Sequence, residues 1–319
     1  MRSIPLEVFY WSVGDGMRGT PPLCCAIGNF DGVHGGHHRL LAATRYAAQA
    51  AGMPFGVVTF SPHPRLFFTP DAPAFLLTDN VIKYRKLEAL GVQYILEVTF
   101  DDALRQLSPE TFTRDVLASS LNVGHLFAGS DFCFGKGRSG SLTDMAEIGK
   151  SCQLEVTAIP LHTDDENQVV SSSQIREALR AGDVKTAASM LGDDPIISGV
   201  VAMGDQRGRL LSFPTANILL DNVLQPAFGV YAITASVRGD ETVYHGVCNV
   251  GRRPTVNDRG ILAEAHLFDF DQDIYGEMLD IRLKGFLRPE QKFDGLDALK
   301  AQIAQDADAA RLLLASADR

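Results

Sequence analysis

Basic residues, cysteine and tryptophan are all scarce in this chain, and each scarcity excludes something. The 29 Lys and Arg are outnumbered by 39 Asp and Glu, giving a formal charge of -10. A general nucleic-acid or acidic-membrane binder needs the basic surface that such a balance withholds. A local nucleotide site is still allowed, because Mg²⁺ and a few arginines neutralise polyphosphate. Cys24, Cys25, Cys133, Cys152 and Cys248 are an odd, irregular set with no CxxC pair, which argues for reduced thiols over a disulfide framework or zinc finger. The lone tryptophan, Trp11, says little about function. No apolar run approaches membrane-spanning length, and no basic segment followed by an apolar core opens the chain. Cytoplasmic residence is therefore the expectation, with no membrane and no nucleic acid among the partners; self-association is left open.

With 319 residues and 45% hydrophobic content, the chain has room for two ordinary domains with well-formed cores. Its first part alternates strand-like and helix-like runs. Residues 23–28 are apolar and enter a glycine-rich turn, 37–51 read as helix and 55–60 as strand. A helix over 79–90 precedes a strand over 92–98; later strands near 121–127 and 154–159 alternate with helices near 108–119, 141–149 and 173–190. This order predicts an α/β domain with a mostly parallel, Rossmann-like sheet. Past Gly192-Asp193-Asp194-Pro195 the strands lie near 199–203, 229–237, 242–250, 262–268 and 278–283, with a helical tail from about 295. That pattern predicts a small β-barrel or sandwich with a terminal helix. The expected division is 1–190 and 191–319.

Two segments carry chemistry. In Gly28-Asn29-Phe30-Asp31-Gly32-Val33-His34-Gly35-Gly36-His37, two imidazoles stand three residues apart where a strand gives way to a helix. Such residues share a face, and the free amides of a helix start suit phosphate oxygens. The same pattern also fits a capped helix with two surface histidines. The segment does not match GxGxxG, and Gly129 to Lys136 fails as a P-loop. Magnesium prefers oxygen ligands, so the histidines suit phosphate better than metal. Farther along, Gly208-Arg209 leads into Phe213-Pro214-Thr215-Ala216-Asn217. In an extended segment Thr215 and Asn217 share a face, and their oxygens suit Mg²⁺ while Arg209 engages phosphate. A structured turn accounts for the same residues.

Together these segments resemble the bacterial bifunctional riboflavin kinase/FMN adenylyltransferase (FAD synthetase) family. GNFDGVHGGH at 28–37 looks like its HxGH-type motif. TFSPHP at 59–64, LLTDNVIKYRKLEALGV at 76–92, GSDFCFGKGRSG at 129–140 and VSSSQIREAL at 170–179 look like the accompanying blocks. GRLLSFPTAN, NVGRRPT at 249–255 and YGEMLDIRLKGFLRPEQKF at 275–293 look like blocks of its kinase module.

The resemblance implies a chain that phosphorylates riboflavin to FMN with ATP and Mg²⁺, then adenylylates FMN with ATP to give FAD and pyrophosphate. It carries His34 and His37 to the ATP phosphates, with Gly28, Asn29, Phe30 and Asp31 in the binding loop. His63 and Asp131 fall near nucleotide or flavin, and Ser172, Ser173 and Arg176 form a further cluster for adenylyl transfer. In the second module it implies Mg²⁺ ligation by Thr215 and Asn217, and activation of the ribityl 5′-hydroxyl by Glu264. The resemblance also makes Arg288 a candidate flavin or phosphate contact, although a solvated loop arginine fits the same position. The chain departs from the family pattern at Gly35, Cys133, Ser173, Ser212 and the Asp193-Asp194-Pro195 segment. A nucleotidyltransferase active only at its N-terminal site, or a flavin-responsive binding protein, are the alternatives that product formation would separate.

Overall fold

A computed structural model describes residues 5–16, 19–161, 170–203, 215–252 and 260–317. The chain divides into two compact units: Met1–Ala72 with Asn80–Val170, and Pro73–Asp79 with Ser171–Arg319.

The first unit is built on six strands: β1 Glu7–Trp11, β2 Leu23–Ile27, β3 Phe55–Ser61, β4 Tyr94–Thr99, β5 Val123–Gly129 and β6 Glu155–Ile159. They lie in the order β1-β4-β3-β2-β5-β6, and every pairing is parallel. A parallel sheet covered on both faces needs strands that are apolar throughout. The sequence of β2, LCCAI, is buried at every position. Helix α1, Gly35–Ala51, follows β2 and stops at Gly52, whose φ of 64° provides the left-handed cap. Two short segments complete what the site needs: helix α2, Pro64–Phe68, and helix α3, Asn80–Ala89. The connections from β2 step to β3 and then β4 on one side, whereas β5 lies on the other. The crevice at the carboxyl ends of β2 and β5 is therefore the topological switch point, where open α/β sheets hold ligands.

The second unit holds β7 Ile196–Val200, β8 Ala216–Leu219, β9 Gly229–Val237, β10 Tyr244–Arg252, β11 Ile261–Leu267 and β12 Met278–Pro289. All pairings are antiparallel, in the order β7-β12-β9-β10-β11-β8. A bridge from Ala202 to Asn217 brings the two edges together, giving a near-closed barrel. Tyr231, Ile233, Cys248, Val250, Ala263, Ala265 and Ile281 fill its interior. The terminal helix Leu296–Ala317 lays Ala307, Ala310 and Leu314 against Val230, Ala232 and Val247 on the outside.

Several elements differ from expectation. The helix expected over 173–190 is two, Ser172–Ala181 and Val184–Leu191. Gly182 adopts a φ of 77° and the Asp183 side chain caps the next helix through the Thr186 amide, so the chain turns although its apolar periodicity runs on. Strands β1 and β8 were not anticipated. Strand β12 continues past residue 283 through irregular register at Leu283/Gly285 and Phe286/Arg288, which erases the alternation that would have announced it.

Candidate active sites

The loop after β2 is held in an unusual backbone. Phe30 and Val33 have φ of 51° and 48°, and Gly32 between them has 81°. A left-handed β-branched residue is a true outlier, costing on the order of 1–3 kcal/mol. Both side chains are fully buried in the core beneath α1. Burying a Phe or Val contributes about 1.5–3 kcal/mol each, enough to offset the strain. Thr59 Oγ1 donates to the Asn29 carbonyl at 3.4 Å, while Asn29 Oδ1 is buried with no hydrogen-bond partner among the described residues.

His34 is the N-cap of α1 and His37 its third residue. Their rings stack with centroids 3.8 Å apart. The His34 amide donates to His37 Nδ1 at 3.3 Å. An imidazole that accepts at Nδ1 carries its proton on Nε2. Burial, then the neighbouring His34 and His38, hold the His37 pKa well below the usual histidine value. His37 is thus a neutral ring with one N–H left to give. Gly36 makes room for this pair: a Cβ there would come within 3.1 Å of His34 Cε1.

Loops from the neighbouring strands leave on the same edge. His63 follows β3 and caps α2, its Nδ1 accepting from the Arg65 amide at 3.1 Å. Asp131 follows β5 and is exposed, and a Cβ at Gly129 would meet its Oδ1 at 3.0 Å. Cys133 is exposed beside it, Sγ donating to the Asp131 carbonyl at 3.5 Å. In the first unit the fold therefore gathers Gly28, Asn29, Phe30, Asp31, His34, His37, His63 and Asp131 at one end of one sheet.

Ser172, Ser173 and Arg176 belong to the second unit. The capping hydroxyl there is Ser171, which accepts from the Gln174 amide at 3.4 Å. Arg176 is buried, Nε donating to the Phe75 carbonyl at 2.7 Å with the guanidinium carbon 5.0 Å from the Phe75 ring centroid.

On the barrel, pairing decides which side chains meet. Asn217 of β8 stands opposite Glu264 of β11, and Glu264 opposite Asn249 of β10. Directly paired residues share a face with Cβ atoms roughly 4.5–5.5 Å apart. The intervening Ala216, Ile218, Ala263, Ala265 and Cys248 point into the core, so the polar row lies outside. The row continues through Val230 to Arg288. Asn217 is 5% exposed, its Nδ2 donating to the Thr215 carbonyl at 3.3 Å. Its Oδ1 is buried without a hydrogen-bond partner among the described residues. A buried carbonyl oxygen left in that state costs about 1–3 kcal/mol unless a ligand supplies the missing contact. A hard cation is such a ligand, and Thr215 two residues away offers a hydroxyl oxygen beside the Asn217 amide oxygen, so the donor types present fit Mg²⁺. Arg209 lies outside the described residues.

Two features escaped the sequence reading. Asn249 joins the row only through strand register. Arg288 is bound by Asp306 of the terminal helix, with Nε 2.9 Å from Oδ1 and Nη2 2.7 Å from Oδ2; both side chains are largely buried. The Asp193-Asp194 departure also gains a role, since Arg282 and Lys284 of β12 bind Asp193 at 3.0 Å and Asp194 at 2.6 Å. No helix among the described residues is long and apolar enough to cross a membrane.

Comparison with known proteins bears on both units. A family model described as FAD synthetase matches residues 18–174, and one described as riboflavin kinase matches residues 191–314. The chain is 39% identical over 286 residues to a bifunctional riboflavin kinase/FMN adenylyltransferase of Escherichia coli (strain K12), covering 89% of this chain and 90% of the relative. Against the protein of that description from Bacillus subtilis (strain 168) it is 38% identical over 288 residues, covering 88% and 89%. The crystal structure of a protein named macrolide-efflux protein, from Streptococcus pneumoniae, is similar at a TM-score of 0.80 and 30% identity, over 92% of this chain and 95% of that one.

Proposed function

The chain belongs to the bifunctional riboflavin kinase/FMN adenylyltransferase family, and from that premise we propose which residues carry its two reactions. It is an ATP-dependent enzyme that converts riboflavin to FMN and FMN to FAD. We assign phosphoryl transfer to residues 191–319 and adenylyl transfer to residues 1–190.

In the kinase reaction Glu264 accepts the proton of the ribityl 5′-hydroxyl as that oxygen attacks the γ-phosphorus of ATP, and ADP leaves. Asn217 Oδ1 and the Thr215 hydroxyl are the ligands assigned to Mg²⁺, which when bound would neutralise phosphate oxygens beside this base. The observation that carries this reading is the pairing of Glu264 with Asn217, whose Oδ1 is buried and without a hydrogen-bond partner among the described residues. Asn249 joins them as a hydrogen-bonding group for the substrate alcohol. Arg288 enters through the row it shares with Glu264, and Arg209 as a phosphate ligand by resemblance.

In adenylyl transfer an FMN phosphate oxygen attacks the α-phosphorus of ATP, and pyrophosphate departs. His37 donates Nε2–H to a phosphate oxygen, and the free amides at the start of α1 take others. His34 fixes the His37 ring by stacking and through its amide. Gly28, Asn29, Phe30 and Asp31 shape the loop, and His63 and Asp131 bind nucleotide or flavin. Ser172, Ser173 and Arg176 are assigned to this reaction on the resemblance alone. The reading includes cytoplasmic residence, with riboflavin, FMN, ATP and Mg²⁺ as partners and neither nucleic acid nor membrane. Self-association is a matter for sedimentation.

Incubating the purified chain with riboflavin, ATP and Mg²⁺ while resolving FMN and FAD over time tests the whole. FMN should rise first and FAD follow. FAD from supplied FMN without any FMN from riboflavin would refute the kinase assignment.

A further inference from the structure

The chain at the end of β12 is pinned on both sides of one carboxylate. Arg288 is bound by Asp306 of the terminal helix, and its Nη1 donates to the Pro289 carbonyl at 3.0 Å. Gln291 Nε2 donates to Gln302 Oε1 at 3.2 Å, and Gln302 Nε2 donates to Asp306 Oδ1 at 2.9 Å. Glu290 stands between these anchors and takes no part in them: no hydrogen bond or ion pair among the described residues engages its carboxylate. Its head is turned onto β10, where a Cβ at Gly251 would collide with Glu290 Oε1. The carboxylate thus occupies the place of the side chain that Gly251 lacks. Cys248 and Val250 point into the barrel, so by alternation Gly251 faces outward with Asn249. Gly251 pairs with Leu262 and Asn249 with Glu264. The Glu290 carboxylate is therefore diagonal to Glu264, roughly 7–8 Å from its Cβ.

That position decides what the carboxylate can serve. Asn217 lies two strands and two residues off, roughly 12 Å away, too far to share a directly bound cation. A second negative charge on this face repels ATP phosphates. It attracts O–H donors, which form short, strong bonds to a carboxylate. A hydroxylated carbon chain whose terminal alcohol stands at Glu264 brings its remaining hydroxyls across this face.

We propose that Glu290 is a substrate-binding residue of the kinase reaction: its carboxylate accepts hydrogen bonds from secondary hydroxyls of the ribityl chain while the 5′-hydroxyl stands at Glu264. The proposal rests on the assignment of riboflavin phosphorylation to Glu264.

The test measures riboflavin phosphorylation by full-length Glu290→Ala, Gly251→Ala and the two combined, with FMN-to-FAD conversion as the control for folding. Glu290→Ala should raise the KM for riboflavin at least about tenfold, the scale of a lost hydrogen bond to a charged group, with kcat within about threefold. Gly251 has no left-handed backbone to lose, so Gly251→Ala acts by displacing the carboxylate and should raise the KM likewise. Combined, the two should exceed the larger single effect by no more than about twofold. A flavin bearing a 5-hydroxypentyl chain keeps the terminal alcohol and lacks the other hydroxyls. The wild type should prefer riboflavin to it, and Glu290→Ala should lose at least about fivefold of that preference. An unchanged KM in Glu290→Ala overturns the proposal, as does a preference equal to that of the wild type. A raised Mg²⁺ requirement in Glu290→Ala also overturns it, because the carboxylate would then serve metal. Should Gly251→Ala fail to fold, Glu290→Ala and the two flavins decide alone. Glu264→Gln runs alongside. If it spares phosphorylation, the kinase assignment itself fails; if it abolishes phosphorylation while Glu290→Ala keeps the wild-type KM, only the Glu290 inference falls.

Discussion

Replacing His37 separates its two tasks. Its Nδ1 accepts the His34 amide, a helix cap, and its Nε2–H is the group offered to phosphate. Glutamine at this third helical position can still reach back to the N-cap amide, as in a capping box, whereas alanine cannot. Losing the cap costs about 1 kcal/mol, which lowers Tm by roughly 2–4 °C in a unit of this size. Losing a hydrogen bond to a charged phosphate costs about 1.5–3 kcal/mol, or a factor of roughly 10–150 in kcat/KM. His37→Ala should therefore lose both stability and FMN-to-FAD conversion. His37→Gln should keep its Tm and still lose about tenfold or more of that conversion. Riboflavin phosphorylation should be unchanged in both. Acid adds an independent check. His37 is harder to protonate folded than unfolded, because of burial and the adjacent His34 and His38. The folded state then binds fewer protons, so stability rises with pH between the depressed folded pKa and the ordinary value near 6.5. As pH falls below 6.5 the wild type loses about 1.4 kcal/mol per pH unit from this group, and His37→Ala should lack that contribution. Denaturant midpoints between pH 8 and pH 5 measure the difference. Wild-type adenylyl transfer by folded His37→Gln would refute the phosphate role, and identical acid sensitivity in His37→Ala would refute the neutral ring.

Glu264→Gln should slow riboflavin phosphorylation by about 100-fold or more, the scale of a lost general base, while FMN adenylylation is spared; separate assays from riboflavin and from FMN measure both. Thr215→Val with Asn217→Leu should raise the Mg²⁺ requirement or abolish FMN formation. The double substitution removes a buried oxygen that lacks a partner among the described residues but also the Asn217 Nδ2 bond to the Thr215 carbonyl; the two offset, so the metal-free protein should change by less than about 1 kcal/mol in urea titrations. Asp306→Asn breaks a largely buried ion pair with Arg288 and should cost about 3–5 kcal/mol of kinase-unit stability, read from the denaturation of the full chain.

The sequence by itself determined both fold classes, since alternating helical and strand periods demand a parallel sheet with crossovers, and short turn-bounded strands demand an antiparallel barrel or sandwich; the Ala202–Asn217 bridge decided for the near-closed barrel. It also located the histidine loop, because GNFDGVHGGH couples glycine freedom to a helix start within ten contiguous residues. Thr215 and Asn217 were legible together for the same local reason: alternation places them on one face. What the tertiary structure alone decided involves residues far apart in the chain. Register put Asn217, Glu264 and Asn249 in one row, and a slip of one residue would have turned Glu264 into the core. The break at Gly182 and the long β12 were set by packing and bulges that local periodicity does not encode. The terminal helix brought Asp306 to Arg288, a pairing that burial favours because a lone charge there is too costly to leave alone.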